Sequence, residues 1–256
     1  MRALGGVALQ RLPFLKEKFP EASYLLEFMD SLLRLQAELL DKLPRIPEYP
    51  EDTDWSLYIP HLRAFMEKVA SFGTPEIEEG IHLMSLQGDE ELKDIIVSFL
   101  KNRGGDGIER LVLIGFLQPV FRKIAETKTF KRDGWLKNEC PVCGFKPCVS
   151  FLADTSEGEG TRFLRCGLCL SDWVYVRTKC VKCGNVEDNT MDYFISEDID
   201  YVSLQVCQKC KHYIKVVDMR RDGFAVPELE DIATVSLDLW AGEKGLTKFE
   251  RNILGM

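Results

Sequence analysis

Four Cys-x-x-Cys pairs between residues 140 and 210 constrain this chain more than any other feature. The first two pairs are separated by 22 residues and the last two by 23, so the second half repeats the first at offsets of 40 and 41 residues. Two such turns can close a tetrahedral shell of four thiolates around one ion. The spacing therefore predicts two metal sites, the first formed by Cys140, Cys143, Cys166 and Cys169 and the second by Cys180, Cys183, Cys207 and Cys210.

The spacing does not identify the metal. Four thiolates in a tetrahedron suit the zinc of a zinc ribbon and the iron of a rubredoxin equally well, and Pro141 and Gly144 fit the turns of both. A closed shell leaves no position for a water molecule, which disfavours hydrolytic zinc chemistry. The expected cofactors are two metal ions, iron or zinc, each bound by four cysteines.

The use of cysteine agrees with a reducing compartment. Eight of the nine cysteines are paired as Cys-x-x-Cys, which indicates metal ligands rather than disulfides. No apolar run reaches the length of a membrane span, and residues 1–16 lack the continuous apolar core of a signal peptide. These features predict a cytoplasmic protein with no membrane span.

The charge of the chain argues against nucleic acid as a partner. The net charge is −8, and residues 136–219 contain ten Lys and Arg against twelve Asp and Glu. Each divalent ion bound by four thiolates adds about two further negative charges, which brings this region to about −6. Contacts with phosphates need clustered cations, and the sequence has no run of them.

Residues 1–135 are predicted to form a helical domain. Apolar residues recur at helical spacing over 25–43, and Pro44 and Pro47 are expected to end that helix. Further helices are expected over 55–72, 75–87, 89–102 and 107–127, with Thr74 as an N-cap. His61 and His82 are isolated and no nucleophile is paired with a base, so the sequence predicts no catalytic site.

From residue 136 the apolar period changes to two, which predicts tandem metal-binding ribbons over 136–218. The second Cys-x-x-Cys turn of each ribbon should lie at the tip of a hairpin. A strand over 173–177 is expected to join the ribbons rigidly, and 153–160 is expected to be an exposed loop. Residues 219–256 should form a C-terminal segment with one helix that begins at Pro227. The predicted fold class is α+β.

Four further residues allow more than one interpretation. Cys148, the unpaired cysteine, is expected in the core, with an alternative ligand or a reactive thiol as the other options. His212 is expected at the surface of a strand and would be a ligand only if a cysteine were displaced. Trp173 and Tyr175 are expected to pack in the ribbon core, although aromatic side chains can also bind a partner.

Several segments resemble the formate dehydrogenase accessory proteins, the FdhE family. They are R-F-L-R-C-G-L-C-L-S-D-W-V-Y-V-R-T-K-C-V-K-C-G-N (162–185), C-P-V-C-G-F-K-P (140–147), V-C-Q-K-C-K-H-Y-I-K-V-V-D (206–218) and E-D-I-A-T-V-S-L-D-L-W-A-G-E-K-G (230–245). The resemblance covers about 140–245, whereas the first half shares only helical character and length. Glu230 stands where an aspartate is usual, and the N-terminal segment looks short.

The resemblance implies a cytoplasmic maturation factor rather than an enzyme. Such a protein would bind the molybdenum- or tungsten-containing catalytic subunit of a respiratory formate dehydrogenase before export. It also implies two rubredoxin-like centres that can hold iron, with all eight paired cysteines as ligands. The alternatives are a rubredoxin-type electron carrier and a zinc-ribbon module that binds nucleic acid. The sequence does not indicate an oligomeric state.

Overall fold

The first half of the chain is a bundle of helices. The structure, a computed structural model, describes residues 6–43, 53–127, 134–156, 158–187 and 189–256. Within these ranges, two 3₁₀ turns, Pro20–Ala22 and Trp55–Tyr58, precede the second and third of six helices. The helices are α1 (Gly6–Lys18), α2 (Ser23–Lys42), α3 (Ile59–Phe72), α4 (Pro75–Ser85), α5 (Asp89–Asn102) and α6 (Gly107–Thr127).

The structure contains the predicted helices, and α1 is one that the sequence did not resolve. Helix α4 begins as expected, because Thr74 Oγ1 accepts a hydrogen bond from the backbone N–H of Ile77 at 3.3 Å. Helix α2 ends at Lys42, and Pro44 and Pro47 lie outside the described residues. Helix α6 is buried on nearly every side and is the centre of the bundle. None of the described helices is both long and apolar enough to cross a membrane.

The second half of the chain forms one seven-stranded sheet. The strands follow the order β3-β2-β1-β6-β5-β4, with β7 paired to the start of β6. The fold is therefore α+β, as predicted. The strands are β1 (Pro147–Thr155), β2 (Gly158–Cys166), β3 (Asp172–Val174), β4 (Met191–Ser196), β5 (Ile199–Cys207), β6 (His212–Asp218) and β7 (Thr247–Lys248).

Strand pairing, rather than a connecting strand, joins the two ribbons. Strand β3 ends at Val174, so the strand predicted over 173–177 is wrong beyond that residue. Instead β1 of the first ribbon runs parallel to β6 of the second, with Ser150 opposite Val216 and Leu152 opposite Asp218. The expected loop over 153–160 is also wrong. It is a tight hairpin in which Thr155 pairs with Gly158, because the strands continue almost to the turn.

The predicted C-terminal helix is divided into α7 (Pro227–Ala233) and α8 (Val235–Glu243). At the break, Thr234 Oγ1 donates a hydrogen bond to the carbonyl oxygen of Glu230 at 2.7 Å. The ammonium group of Lys215, from β6, donates to the carbonyl oxygens of Asp231 at 2.6 Å and Thr234 at 2.8 Å. A buried lysine therefore satisfies the carbonyls that the break leaves without helical partners.

The C-terminal segment fastens the first helix to the sheet. The guanidinium group of Arg11 donates to Glu230 at 2.8 Å and to Asp222 at 2.5 Å. Glu230 also accepts a hydrogen bond from the hydroxyl of Tyr201 in β5 at 2.8 Å. Because Arg11 and Glu230 are both buried, this ion pair joins α1 to the segment 227–233 where water has little access.

Candidate metal centres

The first Cys-x-x-Cys turn lies just before β1 and is shaped by a glycine. The backbone N–H of Val142 donates to Cys140 Sγ at 3.4 Å, and that of Gly144 donates to the Cys140 carbonyl oxygen at 3.0 Å. Gly144 has a φ of 74°, a left-handed conformation that glycine adopts at little cost. The turn thereby directs both sulfur atoms of Cys140 and Cys143 to one side.

The second turn lies at the hairpin tip between β2 and β3, as predicted. Cys166 is the last residue of β2, and its sulfur accepts from the N–H groups of Leu168 at 3.3 Å and Cys169 at 3.4 Å. Leu170 then adopts a left-handed conformation with φ of 56°, which returns the chain to β3. We call the group formed by these two turns, Cys140, Cys143, Cys166 and Cys169, site 1.

The sulfur atoms of site 1 are close enough to share one ion. Sγ of Cys143 lies 3.3 Å from that of Cys166 and 3.5 Å from that of Cys169, and Cys140 and Cys169 are 3.5 Å apart. Zinc–sulfur bonds of about 2.3 Å in a tetrahedron require sulfur separations of roughly 3.8 Å. A small outward movement would therefore fit a metal ion.

The second ribbon repeats this arrangement with Cys180, Cys183, Cys207 and Cys210, which we call site 2. Its turns close through hydrogen bonds from Gly184 N–H to the Cys180 carbonyl at 3.1 Å and from Lys211 N–H to the Cys207 carbonyl at 2.8 Å. The sulfurs of Cys180 and Cys210 are 3.7 Å apart, and those of Cys183 and Cys207 are 3.8 Å apart. These separations match a tetrahedral zinc or iron site closely.

The structure thus brings the first four of the eight paired cysteines together in one group and the last four in another, the grouping that the repeat predicted. In each site the four sulfur atoms lie within 4.8 Å of one another. Within the described ranges, no other three histidine, cysteine or acidic side chains meet this condition. Cys148 and His212 belong to neither group. Cys148 is buried in the core, and Nδ1 of His212 lies 2.8 Å from the carbonyl oxygen of Cys210.

The pKa values of the buried thiols indicate that a bound cation would stabilise their thiolate forms. Burial raises the pKa of Cys143 and of Cys166 well above the ordinary value, and it raises the pKa of Cys180 to about 12. Cys169 differs from Cys143 and Cys166, because hydrogen bonds from the neighbouring thiols, first from Cys140, lower its pKa. Burial therefore disfavours the thiolate forms of Cys143 and Cys166, and a bound cation would compensate their charge.

Helices cover site 1 on one side. The ring of Phe99 in α5 lies 5.6 Å from that of Phe145, and Gln118 of α6 donates to the carbonyl oxygen of Gly167 at 3.4 Å. Arg103 forms an ion pair with Glu139 at 2.7 Å, directly beside the first turn. Three of the four cysteines of site 1 are consequently buried.

Site 2 lies at the surface. Cys183 is exposed and Cys210 is partly exposed, whereas Cys180 and Cys207 are buried. Besides the pairing of β1 with β6, Asn138 connects site 2 to the first ribbon, because its amide donates to the Val181 carbonyl at 2.7 Å. Tyr175 contributes to this connection as well, because its hydroxyl donates to the carbonyl oxygen of Cys180 at 3.4 Å. Trp173 donates within the first ribbon, to the carbonyl oxygen of Lys137 at 3.1 Å, and both aromatic side chains are buried. Trp173 and Tyr175 are therefore core residues.

The sequence analysis missed a buried ionic cluster next to the ribbons. Lys215 and Lys248 surround Asp231, and Lys215 also pairs with Asp238 at 2.6 Å. Burial alone would raise the pKa of Asp231, but Lys248 and Lys215 lower it. The available signal was Lys215 itself, a charged residue in the otherwise apolar stretch Y-I-K-V-V.

Comparisons with known proteins agree with this architecture. The family models described as the central and C-terminal domains of FdhE match residues 139–177 and 178–254. A protein FdhE homolog from Aquifex aeolicus is 44% identical over 97% of this chain and 94% of its own length. A protein FdhE homolog from Haemophilus influenzae (strain ATCC 51907) is 23% identical over 93% of this chain and 84% of its own.

The solved structure of the FdhE protein from Pseudomonas aeruginosa has the same fold. It matches with a TM-score of 0.76 and 21% sequence identity, over 99% of this chain and 96% of the other. The likeness to relatives therefore extends beyond the cysteine motifs, through the helical half of the chain. The chain belongs to the FdhE family of formate dehydrogenase accessory proteins.

Proposed function

We propose that this protein is a cytoplasmic accessory factor that binds the catalytic subunit of a formate dehydrogenase and turns over no substrate itself. The observation that carries the proposal is membership of the FdhE family, which supports an accessory role for formate dehydrogenase. A closed shell of four thiolates provides no metal-bound water for hydrolysis, in agreement with a binding role.

We further propose that the eight paired cysteines hold two metal ions, zinc or iron. Cys140, Cys143, Cys166 and Cys169 would bind one ion and Cys180, Cys183, Cys207 and Cys210 the other. Either metal stabilises the ribbons when bound, and iron would add the capacity to transfer one electron. The turns of the chain already direct backbone N–H groups at the sulfurs, which favours the thiolate form.

The division into 1–135, 136–218 and 219–256 is part of the proposal. Each range has a distinct composition of helices or strands. The third range bridges the first two through Glu230, which accepts hydrogen bonds from Arg11 and from Tyr201, so we expect the three to act as one body. Limited proteolysis of the folded protein should release none of them as an independent fragment.

A second candidate function is electron transfer by site 2. It is favoured by one observation, the exposure of Cys183, because an electron donor can approach an exposed sulfur ligand closely. A reversible reduction at site 2 with a reductase partner would support this function. The bundle of six helices is more than a simple electron carrier needs, and it favours the accessory role.

A deletion strain and a purification test the accessory role together. The strain should still make the catalytic subunit but lose respiratory formate dehydrogenase activity, and this subunit should co-purify with the tagged protein. Normal activity in the strain, combined with no binding of the subunit, would contradict the accessory role and leave electron transfer as the better candidate.

A further inference from the structure

Arg162 is a buried cation without a carboxylate partner. It lies in β2 of the first ribbon and is 2% exposed. Its Nε donates to Ser150 Oγ at 2.9 Å, and its Nη2 has no hydrogen-bond partner in the described ranges. No aspartate or glutamate in those ranges forms an ion pair with it. A buried charge without a counter-ion is costly, so the fold has to compensate it in another way.

The guanidinium group of Arg162 contacts the backbone that leads into site 2. Its Nη1 donates to the carbonyl oxygens of Val176, Arg177 and Lys179 at 3.1–3.4 Å. Lys179 is the residue before Cys180, the first cysteine of site 2. Covalent geometry keeps Cys180 Sγ within about 6 Å of the Lys179 oxygen, and therefore within about 9 Å of Nη1. A cation of the first ribbon thus lies close to site 2 of the second.

Buried side chains connect Arg162 with Cys180. The ring of Tyr175 lies 5.5 Å from Cζ of Arg162, and its hydroxyl donates to the Cys180 carbonyl oxygen at 3.4 Å. All three residues are buried, so charges on Arg162 and Cys180 are screened less than charges at the surface. Burial lowers the pKa of Arg162 to about 10, whereas a thiolate at Cys180 acts in the opposite direction. Arg162 is therefore charged at neutral pH.

The arginines next to site 1 differ from Arg162, because carboxylates neutralise them. Arg165 immediately precedes Cys166 and is paired with both Asp172 and Glu228. Arg103, beside the first turn, is paired with Glu139. The two sites therefore have similar cysteine turns but different neighbouring charges.

We propose that Arg162 is the counter-cation of site 2, so that the first ribbon supplies part of the second ribbon's metal site. Four thiols release their protons when they bind a divalent ion, and the loaded site carries a charge of about −2. A fixed cation nearby favours this loaded state over the empty one. With iron, the charge is about −1 in the ferric state and about −2 after one electron is added, so Arg162 also favours the reduced state. This inference rests on the proposed binding of metal by the eight paired cysteines.

Three substitutions separate the charge of Arg162 from its packing. Arg162→Gln removes the charge and keeps a hydrogen-bond donor, whereas Arg162→Lys keeps the charge and loses the planar group. Arg177→Gln is the matched control, because Arg177 is an exposed cation in the adjoining segment and water screens its charge. Melting curves verify that each variant is folded.

The first measurement is the affinity for Zn²⁺. Each protein competes for Zn²⁺ with a chelator of known affinity, and site 2 accounts for the binding that the double variant Cys207→Ser with Cys210→Ser lacks. We expect Arg162→Gln to weaken zinc binding at site 2 at least tenfold. Arg162→Lys and Arg177→Gln should change it less than threefold, and binding at site 1 should stay the same in all three variants.

The second measurement is the reduction potential of site 2 in the iron-loaded protein, titrated with a chemical reductant. Loss of the cation should make ferric iron at least tenfold harder to reduce, which is a fall of about 59 mV for one electron. A loosened turn would instead admit water, which stabilises the more negative reduced state and raises the potential. The sign of the shift in Arg162→Gln therefore distinguishes lost charge from lost packing. Arg162→Lys and Arg177→Gln should keep the potential of the unaltered protein.

Gln205→Glu tests the same charge if Arg162→Gln does not fold. Gln205 Nε2 and Arg162 Nη1 donate to the same carbonyl oxygen, that of Arg177, at 3.0 and 3.4 Å. A glutamate at this position offers Arg162 the carboxylate that it lacks. It should therefore weaken zinc binding at site 2 and lower the potential, as Arg162→Gln does.

The outcomes separate this inference from the proposed metal sites. Arg162 is not the counter-cation if the neutralising variant leaves zinc affinity and potential unchanged, if Arg162→Gln and Arg162→Lys weaken binding equally, or if the potential rises in Arg162→Gln. In those cases the proposed metal sites stand. If the unaltered protein binds no metal at site 2, that site and this inference are both wrong.

Discussion

Site 1 and site 2 have the same turns but different surroundings. Gly144 and Gly184 have φ values of 74° and 71°, and the cysteines of both sites lie at equivalent points of a hairpin. Helices α5 and α6 cover site 1, however, whereas Cys183 of site 2 is exposed. A local repeat in sequence therefore gives the two sites the same arrangement of cysteine turns, while contacts with the rest of the chain decide how exposed each site is.

Because the two sites differ in burial, we expect them to contribute differently to the stability of the protein. Loss of a metal from site 1 would leave buried thiols between the helices and the sheet, where the pKa of Cys143 and Cys166 is already raised by burial. Loss of a metal from site 2 would disturb turns that lie mostly in water. We therefore expect site 1 to stabilise the whole molecule and site 2 to stabilise the second ribbon alone.

Paired cysteine substitutions give the largest expected effect. Cys166→Ser with Cys169→Ser should abolish cooperative unfolding, because metal binding to such sites contributes roughly 10 kcal/mol or more to folding. Cys207→Ser with Cys210→Ser should remove one metal per chain and leave a melting transition of the helices. Metal analysis and circular dichroism measure both. If both double variants lost cooperative unfolding to the same extent, the proposed difference between the two sites would be wrong.

The substitution Lys215→Met tests what holds the site 2 hairpin in place. Lys215 lies in β6, which begins two residues after Cys210, and it anchors that strand to α7 and α8. Removing its charge leaves Asp231 buried beside Lys248 alone, which should cost about 3–5 kcal/mol. Denaturant unfolding measures this cost.

Lys209→Met is the control for that experiment, because the Lys209 side chain is 56% exposed and its pair with Glu187 lies at the surface. It should cost little, because an exposed ion pair is well screened by water. A cost for Lys215→Met as small as that of the control would show that the buried cluster does not support the hairpin.

The two sites should lose their metals to a chelator at different rates. With a coloured chelator in excess, the metal of site 2 should leave at least tenfold faster than that of site 1, because Cys183 is exposed and three ligands of site 1 are buried. The release should therefore follow two phases of equal amplitude. The site 2 double variant should lose the fast phase only, and a single phase in the unaltered protein would contradict the prediction.

The smallest effect concerns the two glycines. Gly144→Ala and Gly184→Ala impose similar strain, on the order of 1–2 kcal/mol, because both residues have positive φ. At Gly144 the new methyl group would also lie 2.7 Å from the guanidinium carbon of Arg103 and disturb its pair with Glu139, whereas at Gly184 it would lie 3.8 Å from Lys179. We expect Gly144→Ala to cost about 0.5 kcal/mol more. If Gly184→Ala lowered the free energy of unfolding more than Gly144→Ala, the expected clash with Arg103 would be contradicted.

The local features of this protein could be predicted from its sequence. The spacing of the cysteines determined which four meet, because each pair closes its own turn and each ribbon contains two pairs. Helical periodicity located the helices, and Thr74 with Pro75 located the start of α4. These predictions depend on residues within a few positions of one another, for which spacing and capping are informative.

The features that depend on distant residues could not be predicted. The pairing of β1 with β6 brings together Ser150 and Val216, and neither strand contains a signal for the other. The break at Thr234 depends on Lys215, which lies in a strand and provides the missing donor. The unequal burial of the two sites likewise depends on how α5 and α6 pack, which periodicity alone does not specify.

The pairing of β1 with β6 also determines when the protein can finish folding during synthesis. Leu152 lies opposite Asp218, so its strand has no neighbour on that side until 66 more residues (218 − 152) have been made. At roughly 5–20 residues per second, this interval lasts about 3–13 seconds. All four cysteines of site 1 have been synthesised by residue 169, well before that neighbour exists. The four cysteines of the first ribbon are therefore all present while the edge of that ribbon is still open, before the four of the second ribbon are complete at residue 210.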